Sequence, residues 1–63
     1  MHQITVESIN KFNRVEWSET VEAKSKAAAT RKANEIIKSI GEEVNTHKHT
    51  NQFDSNMEIW QLT

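Results

Sequence analysis

Residues 25–41 read SKAAATRKANEIIKSIG, and this stretch decides the fold because it predicts one amphipathic helix. Ser25 suits the N-cap, since its hydroxyl can accept a hydrogen bond from a free amide of the first turn. Three alanines, which favour helix, follow Lys26. Gly41 stands where a left-handed C-cap residue is common. The residues predicted to face the core recur at helical spacing and are Ala29, Ala33, Ile36, Ile37 and Ile40.

Two segments of alternating apolar and polar residues precede the helix. Residues 2–8 and 14–23 each show the period of two that is typical of a half-buried strand. Residues 10–13 suit a turn between them, because asparagine tolerates left-handed backbone geometry. The two strands are therefore expected to form a hairpin, with Trp17 in the core. The side chains expected to share the inward face are Ile4, Val6, Val15, Trp17, Val21 and Ala23.

The segment after the helix predicts two further strands. Residues 57–62 have apolar side chains on both faces and predict a strand. If residues 42–55 were all loop, the domain would carry an unusually long one. Residues 43–49 are therefore predicted to form a weaker strand and residues 50–56 its turn. The resulting element order is ββαββ, and the alternative is ββαβ with a long loop.

The fold class that follows is α+β, in one domain over residues 1–63. A small antiparallel sheet of three or four strands carries one helix on one face, in two layers. A strand order of 2-1-3-4 would make every neighbour antiparallel. One helix covers one face, so the other sheet face is expected to be uncovered. The hairpin residues expected on it are Thr5, Glu7, Glu16, Ser18, Thr20 and Glu22.

Size and composition limit the possible functions. A chain of 63 residues leaves little core around a water-excluded pocket, so we expect no enzyme and no cofactor. Without cysteine there is no disulfide and no thiolate metal site. No signal peptide and no membrane span are predicted, and the expected location is the cytoplasm of a cell or an infected host.

The histidines are the candidates for a metal site. In a strand, His47 and His49 point the same way, and His2 could add a third imidazole. Two histidines rarely hold a metal without carboxylate or thiolate ligands, so solvated polar residues are the preferred interpretation and no metal is predicted. The neighbouring carboxylates Glu42 and Glu43 flank the end of the helix and are expected to be solvated.

Trp60 is the candidate anchor for a protein partner. Trp60 alternates with Ile59, so only one of them can face the helix, and the sequence leaves both arrangements open. If Ile59 packs inward, Trp60 lies on the uncovered face as a binding anchor. Acidic neighbours would favour a basic partner surface, and a homodimer through the same face is the other possibility. The predicted partner-binding residues are Glu16, Glu22, Glu58 and Trp60.

The helix carries the candidate nucleic-acid site. The net charge of the chain is −1, yet residues 24–39 hold five basic residues against Glu35, a net charge of +4. A basic helix face can lie along a phosphate backbone, and the alternative is a solvated face that balances acidic strands. Binding without strong base specificity is the expectation. The residues predicted for this second function are Lys24, Arg31, Lys32 and Lys38.

Residues 3–46 resemble the small phage-encoded modulators of host proteins. The resemblance lies in residues 5–8 (TVES), a second strand ending in residues 21–23 (VEA), the alanine-rich helix, and residues 41–44 (GEEV). In outline the chain is similar to the short ββαβ phage inhibitor of bacterial RNA polymerase. The resemblance implies a non-enzymatic inhibitor that docks on a host protein and occludes its surface. Residues 50–63 depart from that pattern, and no single contact residue is transferred.

Overall fold

In the computed structural model, which describes residues 1–41 and 44–63, the chain begins with a β-hairpin. Strand β1 (His2–Ile9) pairs antiparallel with β2 (Val15–Ala23), as predicted. In the turn, the Asn10 side-chain oxygen accepts the amide of Phe12 at 2.9 Å and that of Arg14 at 3.1 Å. Asn13 adopts a φ of 61°, the left-handed conformation that asparagine tolerates. These bonds hold the reversal without glycine.

The helix α1 (Lys26–Ile40) has the predicted ends. The Ser25 hydroxyl accepts the Ala28 amide at 3.2 Å, which satisfies one of the free donors of the first turn. Gly41 donates its amide to the Ile37 carbonyl at 3.3 Å, with a φ of 138° and a ψ of 163°. This conformation is one that glycine adopts readily, although it is extended rather than left-handed helical as predicted. Glycine is therefore required by the backbone at this end.

The helical stripe is buried at one end and open at the other. Ala29 and Ala33 are fully buried, and Ile36 and Ile37 pack against the core from its margin. Ile40 is exposed, so its predicted place in the core is wrong. α1 packs on β1 and β2, and Ile40 is its last residue, where the packing against the sheet ends.

Two strands follow the helix, so the ββαββ order is confirmed. They are β3 (Thr46–Thr50) and β4 (Met57–Leu62). β3 starts later than the predicted residues 43–49, and Glu42 and Glu43 lie outside the described residues. In the β3–β4 turn, the Asn51 side chain accepts the amides of Phe53 and Asp54 at 2.7 and 3.1 Å. As in the β1–β2 turn, an asparagine side chain stabilises a reversal of the chain that contains neither glycine nor proline.

The sheet order is β2-β1-β4-β3, and β4 runs parallel to β1. The α+β class is confirmed, but the order 2-1-3-4 with all neighbours antiparallel is wrong. The reason lies in the composition of the two last strands. β3 reads THKHT and has no apolar side chain to bury, whereas β4 carries Trp60 and Leu62. The apolar strand takes the central position beside β1, and the polar strand takes the edge.

The core lies between the helix and one sheet face. Trp17 was expected in this core, but it is 37% exposed, and Val15 is exposed as well. Both lie on β2, which is at the edge of the sheet that the described strands form, and at the end where a β-bulge disturbs the pairing. The buried apolar residues are Ile4, Val6, Ala23, Ala29, Ala33, Trp60 and Leu62. Among the helices of the described residues, none has the length and apolar character that crossing a membrane requires.

Candidate binding surface

The sheet face turned away from the helix forms one continuous surface, here called the open sheet face. Side chains of directly opposed residues in neighbouring strands point to the same side, so the strand pairing fixes its membership. The pairing confirms this place for five of the six hairpin residues predicted there, but not for Glu16, which is the extra residue of a β-bulge. The open sheet face consists of Ser18, Thr20 and Glu22 of β2, Gln3, Thr5 and Glu7 of β1, Met57, Ile59 and Gln61 of β4, and His47 and His49 of β3.

Side-chain hydrogen bonds cross the strands on the β2 and β1 half of this face. Gln3 donates its amide to the Glu22 carboxylate, and the hydroxyls of Thr5 and Thr20 lie 2.9 Å apart. Glu7 accepts a hydrogen bond from the Gln61 amide of β4 at 3.3 Å. The neutral amides of Gln3 and Gln61 hold the carboxylates of Glu22 and Glu7 in place without neutralising their charge. This half is acidic and ordered.

Two apolar side chains stand in the middle of the open sheet face. Met57 is 41% exposed and Ile59 is 44% exposed, and both belong to the central strand β4. Ile59 lies opposite Thr5 on β1 and opposite His49 on β3. Apolar side chains that stay exposed on a central strand, within a polar rim, are a common feature of binding surfaces. These two residues are the best apolar anchors that the open sheet face offers.

Glu16 and Glu22 are accessible, as a partner-binding role requires. Glu22 lies on the open sheet face opposite Gln3. Glu16 is the extra residue of a β-bulge, because Trp17 pairs with Ser8 while Val15 pairs with Ile9. Both glutamates are exposed. They lie near the two ends of β2 and add negative charge to this edge strand.

Glu58 and Trp60 do not lie on the open sheet face. Trp60 is 1% exposed and Glu58 is 7% exposed, and both point toward the helix. Of the two arrangements that the sequence left open, the one with Trp60 inside and Ile59 outside is present. The predicted roles of Glu58 and Trp60 as contact residues are therefore wrong, because a partner cannot reach them in the folded protein. Burying Trp60 and Leu62 removes more apolar surface from water than burying Met57 and Ile59.

Glu58 can be buried because the fold supplies it with partners. His2 Nε2 is hydrogen-bonded to one carboxylate oxygen, and the Trp60 indole donates to the other at 3.4 Å. Burial by itself raises the pKa of Glu58, but these two hydrogen bonds and the charges of His2 and Lys26 outweigh it, so the pKa lies below its ordinary value of 4.5. Glu58 is therefore an ionised structural group.

Trp60 also contacts the edge strand. The Lys48 ammonium of β3 lies 4.2 Å from the centroid of the Trp60 ring, within cation–π range. Lys48 is opposite Trp60 in the β3–β4 pairing. The lysine side chain thereby covers the indole ring on the sheet face that carries the helix, next to the edge strand β3. This contact explains how a short polar strand can stabilise its neighbour.

The three histidines are not brought together. His47 and His49 lie on the open sheet face of β3, whereas His2 is buried on the helix side with Glu58. The sheet separates them, so the three imidazoles cannot share one ion. Among residues 1–41 and 44–63, no three His, Cys, Asp or Glu side chains converge in a way that could hold a metal.

Of the four basic residues of the alternative site, Arg31 and Lys38 lie on the helix face turned away from the sheet. Lys24, Arg31, Lys32 and Lys38 are all exposed. Arg31 and Lys38 are seven residues apart, about two helical turns, so they point the same way. Lys32 instead donates to the backbone carbonyl of Glu22 at 2.8 Å. The fold thus places a basic helix face and an acidic sheet face on opposite sides of one thin domain.

A groove lies beside the end of the helix and is open to solvent. Its volume is about 440 Å³. Its walls are mainly helix residues, with two residues of the segment between the helix and β3. The lining residues are Asn34, Glu35, Ile37, Lys38, Gly41 and Val44. Because Glu35 and Lys38 are exposed at its rim, the groove is a surface feature and offers no water-excluded chamber for chemistry.

The predicted site lacked Met57, Ile59, Glu7 and Gln61. Alternation along β4 separates residues 57, 59 and 61 from residues 58, 60 and 62, so the two sets could be recognised in the sequence. Choosing between them needs the partner of Glu58 on β1, His2, which comes from the far end of the chain. Comparisons with family models, with curated proteins and with solved structures found no match. The function is therefore inferred from the surface itself.

Proposed function

We propose that this protein is a non-enzymatic binding module that modulates or inhibits a host protein by docking on it through the open sheet face. A phage or another mobile element would encode it, and it would act in the host cytoplasm. Occlusion of the partner's surface is the mechanism. The resemblance to small phage-encoded modulators supports the same proposal.

One observation carries the proposal: a four-stranded sheet face on which no element of the described residues packs, with Met57 and Ile59 exposed at its centre. Exposed apolar side chains at the centre of a face contribute affinity, because a partner removes them from water. Glu7 and Glu22 on the same face, and Glu16 near one end of β2, favour a basic partner surface. The cross-strand hydrogen bonds keep the face ordered before binding, which lowers the entropy lost on association.

The test is capture of partners from bacterial lysate by variants of the two sides of the molecule. Ile59→Lys changes the open sheet face, and the double variant Glu16→Lys with Glu22→Lys reverses charge on this face and at the far end of β2. The matched control is Arg31→Glu with Lys38→Glu, which reverses two charges on the helix. Circular dichroism first checks that each variant is folded, and the captured proteins are then identified by mass spectrometry after nuclease treatment.

We expect one host protein to be retained by the native chain and by the helix control. Ile59→Lys and the double glutamate variant should lose it, because they remove an apolar anchor and reverse the complementary charge. Equal retention by all folded variants would rule out the open sheet face as the docking site.

The second candidate function is nucleic-acid binding by the basic helix face. Arg31 and Lys38 favour it, since both are exposed and aligned on the side opposite the carboxylates of the open sheet face, although Glu35 lies between them on the helix. Binding to short duplex or single-stranded DNA should then weaken steeply with added salt, and the Arg31→Glu, Lys38→Glu control should abolish it. No binding at low salt would reject this function.

A further inference from the structure

β2 ends the sheet on one side, and none of the strands in residues 1–41 and 44–63 lies next to its outer backbone groups. It is nine residues long, whereas the strand at the other edge, β3, has five. A long edge strand presents a row of unpaired amides and carbonyls to which another chain can hydrogen-bond. Short edges limit such pairing, so the edge of β2 is the stronger candidate. We call it the free edge of β2.

The strand pairing decides which groups point outward. Opposed residues in an antiparallel pair alternate between pairs that exchange two hydrogen bonds and pairs that exchange none. The Gln3 amide donates to the Asn56 carbonyl beside β4 at 2.8 Å, so the backbone of Gln3 faces β4 and not β2. Its partner Glu22 therefore turns its amide and carbonyl outward. By alternation, Thr20 and Ser18 do the same.

A contact of the helix agrees with this assignment. The Lys32 ammonium donates to the Glu22 carbonyl at 2.8 Å, which requires that this carbonyl points away from β1. Lys32 closes the edge at the helix end of β2. The amide and carbonyl of Ser18 and of Thr20 lie farther along the same edge, in the exposed part of the strand. They form the open section.

The charges of β2 oppose pairing with a second copy of itself. β2 carries Glu16, Glu19 and Glu22 and no basic residue. When the whole strand pairs antiparallel with its copy, Glu19 faces Glu19 and Glu16 faces Glu22. Like charges directly opposite each other destabilise a strand pair. The same carboxylates favour a strand that brings positive charge.

We propose that the free edge of β2 binds an extended, basic segment of a partner protein as an additional strand of the sheet. The proposal rests on the proposed function, since it states the chemistry of part of the partner. The segment would form backbone hydrogen bonds with Ser18 and Thr20. Its lysine or arginine side chains would lie beside Glu22 on one face and beside Glu19 on the other, with Glu16 adding negative charge at the far end of β2. This mode of recognition is strand addition, in which the backbone gives affinity and alternate side chains give specificity.

Trp17 extends the chemistry of this edge. It lies on the same face of β2 as Glu19 and is 37% exposed. An arginine of the added strand could therefore meet a carboxylate and an indole ring together. The other basic candidate is β3 of a second copy, with His47, Lys48 and His49, but its five residues would pair with only part of β2. Self-association through β2 and β3 is the outcome that would replace the proposal.

The probe is a synthetic peptide that alternates lysine with valine over the length of β2. The control peptide alternates glutamate with valine, so it has the same strand pattern and the opposite charge. Binding to the full chain is measured by fluorescence anisotropy. We expect the lysine peptide to bind at least about tenfold more tightly than the glutamate peptide, a difference of about 1.4 kcal/mol. Binding should slow hydrogen exchange at the amides of Ser18 and Thr20.

Two N-methylated forms of the lysine peptide separate strand addition from simple charge attraction. One form is methylated at the lysines and the other at the valines, so the methyl groups occupy opposite edges of the extended peptide. One form should lose binding and the other should keep it. If both bind alike, or if the glutamate peptide binds as well as the lysine peptide, the proposal is wrong.

Ser18→Pro tests the protein side of the contact. The Ser18 amide points outward, so proline removes a donor of the free edge without removing a hydrogen bond to β1. It should weaken peptide binding about tenfold or more, a loss of about 1.4 kcal/mol. If this variant does not fold, the binding of the two N-methylated peptides to the native chain is the test of strand addition. Sedimentation that finds dimers with slowed exchange at Ser18 and Thr20 would overturn the proposal in favour of self-association.

Failure of this inference can be told apart from failure of the proposed function. Ile59 lies two strands away from the free edge, about 10 Å across the sheet. If the host protein is lost by Ile59→Lys but kept by Ser18→Pro, the open sheet face holds and strand addition fails. If Ser18→Pro loses the peptide while Ile59→Lys keeps every partner, strand addition holds and docking through the open sheet face fails.

Discussion

Glu58 is a carboxylate inside a small core, where an unpaired charge would cost several kcal/mol. His2 and Trp60 hydrogen-bond to its two oxygens, and Lys26 adds a favourable charge. Of the buried side-chain nitrogens and oxygens in the described residues, none lacks a hydrogen-bond partner. The group therefore links β1, β4 and the start of the helix, and its role is structural.

Replacing Glu58 by glutamine tests this role through the pH dependence of stability. The pKa of Glu58 is lowered in the folded state, so its ionised form stabilises the fold above pH 4.5, and this stabilisation is lost as the pH falls through the lowered pKa. Glu58→Gln should unfold about 1–3 kcal/mol more easily at neutral pH. Its stability should also fall less steeply below pH 4.5 than that of the native chain. Urea unfolding at a series of pH values measures both. If the free energy of unfolding of the two chains falls equally steeply below pH 4.5, the structural role of ionised Glu58 is contradicted.

Gly41 is fixed by its own backbone and not by crowding. Its φ of 138° is in a region that other residues rarely adopt, and, its chain neighbours aside, no atom of the described residues lies within 4 Å of where a Cβ would be placed. Gly41→Ala should therefore destabilise the fold by about 1–3 kcal/mol through backbone strain alone. Chemical denaturation measures this change. A neutral result would mean that the helix end relaxes to another conformation at little cost.

At the scale of the element, the helix is defined by its two ends and by one stripe. The Ser25 cap and Gly41 could be placed from the sequence, because capping is local chemistry between residues a few positions apart. The length of the apolar stripe could not, since Ile40 has helical spacing and yet is exposed. Spacing tells which face is apolar, whereas the extent of the sheet beneath decides how much of it is buried.

Replacing Ser25 by alanine tests the cap. The variant loses the hydrogen bond to the Ala28 amide and should be destabilised by about 1 kcal/mol. In a domain of this size that corresponds to a fall in melting temperature of about 4–8 °C. Ser39→Ala is a suitable control, because Ser39 bonds within the helix, to the Ile36 carbonyl, and caps no free amide. If Ser25→Ala and Ser39→Ala lower the melting temperature equally, Ser25 does not stabilise the helix as a cap.

At the scale of the whole molecule, one face of β4 packs in the core and the other face is exposed. Trp60 and Leu62 are in the core, while Met57 and Ile59 are on the open sheet face. Trp60→Ala should cost about 3–5 kcal/mol, a large part of the total stability of a domain this small. Ile59→Thr should change stability by less than about 0.5 kcal/mol, as expected for a surface position. Thermal unfolding followed by circular dichroism compares them, and a similar loss in both would contradict the two-layer arrangement.

The sequence by itself determined the elements and the layers: two strands, a capped helix, two more strands, and one helix on one sheet face. These features depend on periodicity, caps and turn residues, which act between near neighbours in the chain. The tertiary structure alone decided that β4 inserts beside β1 in parallel, that Trp60 is buried and Ile59 exposed, and that β2 is left as a long acidic edge. Each of these depends on residues far apart in the chain, such as His2 and Glu58, whose pairing no local pattern encodes.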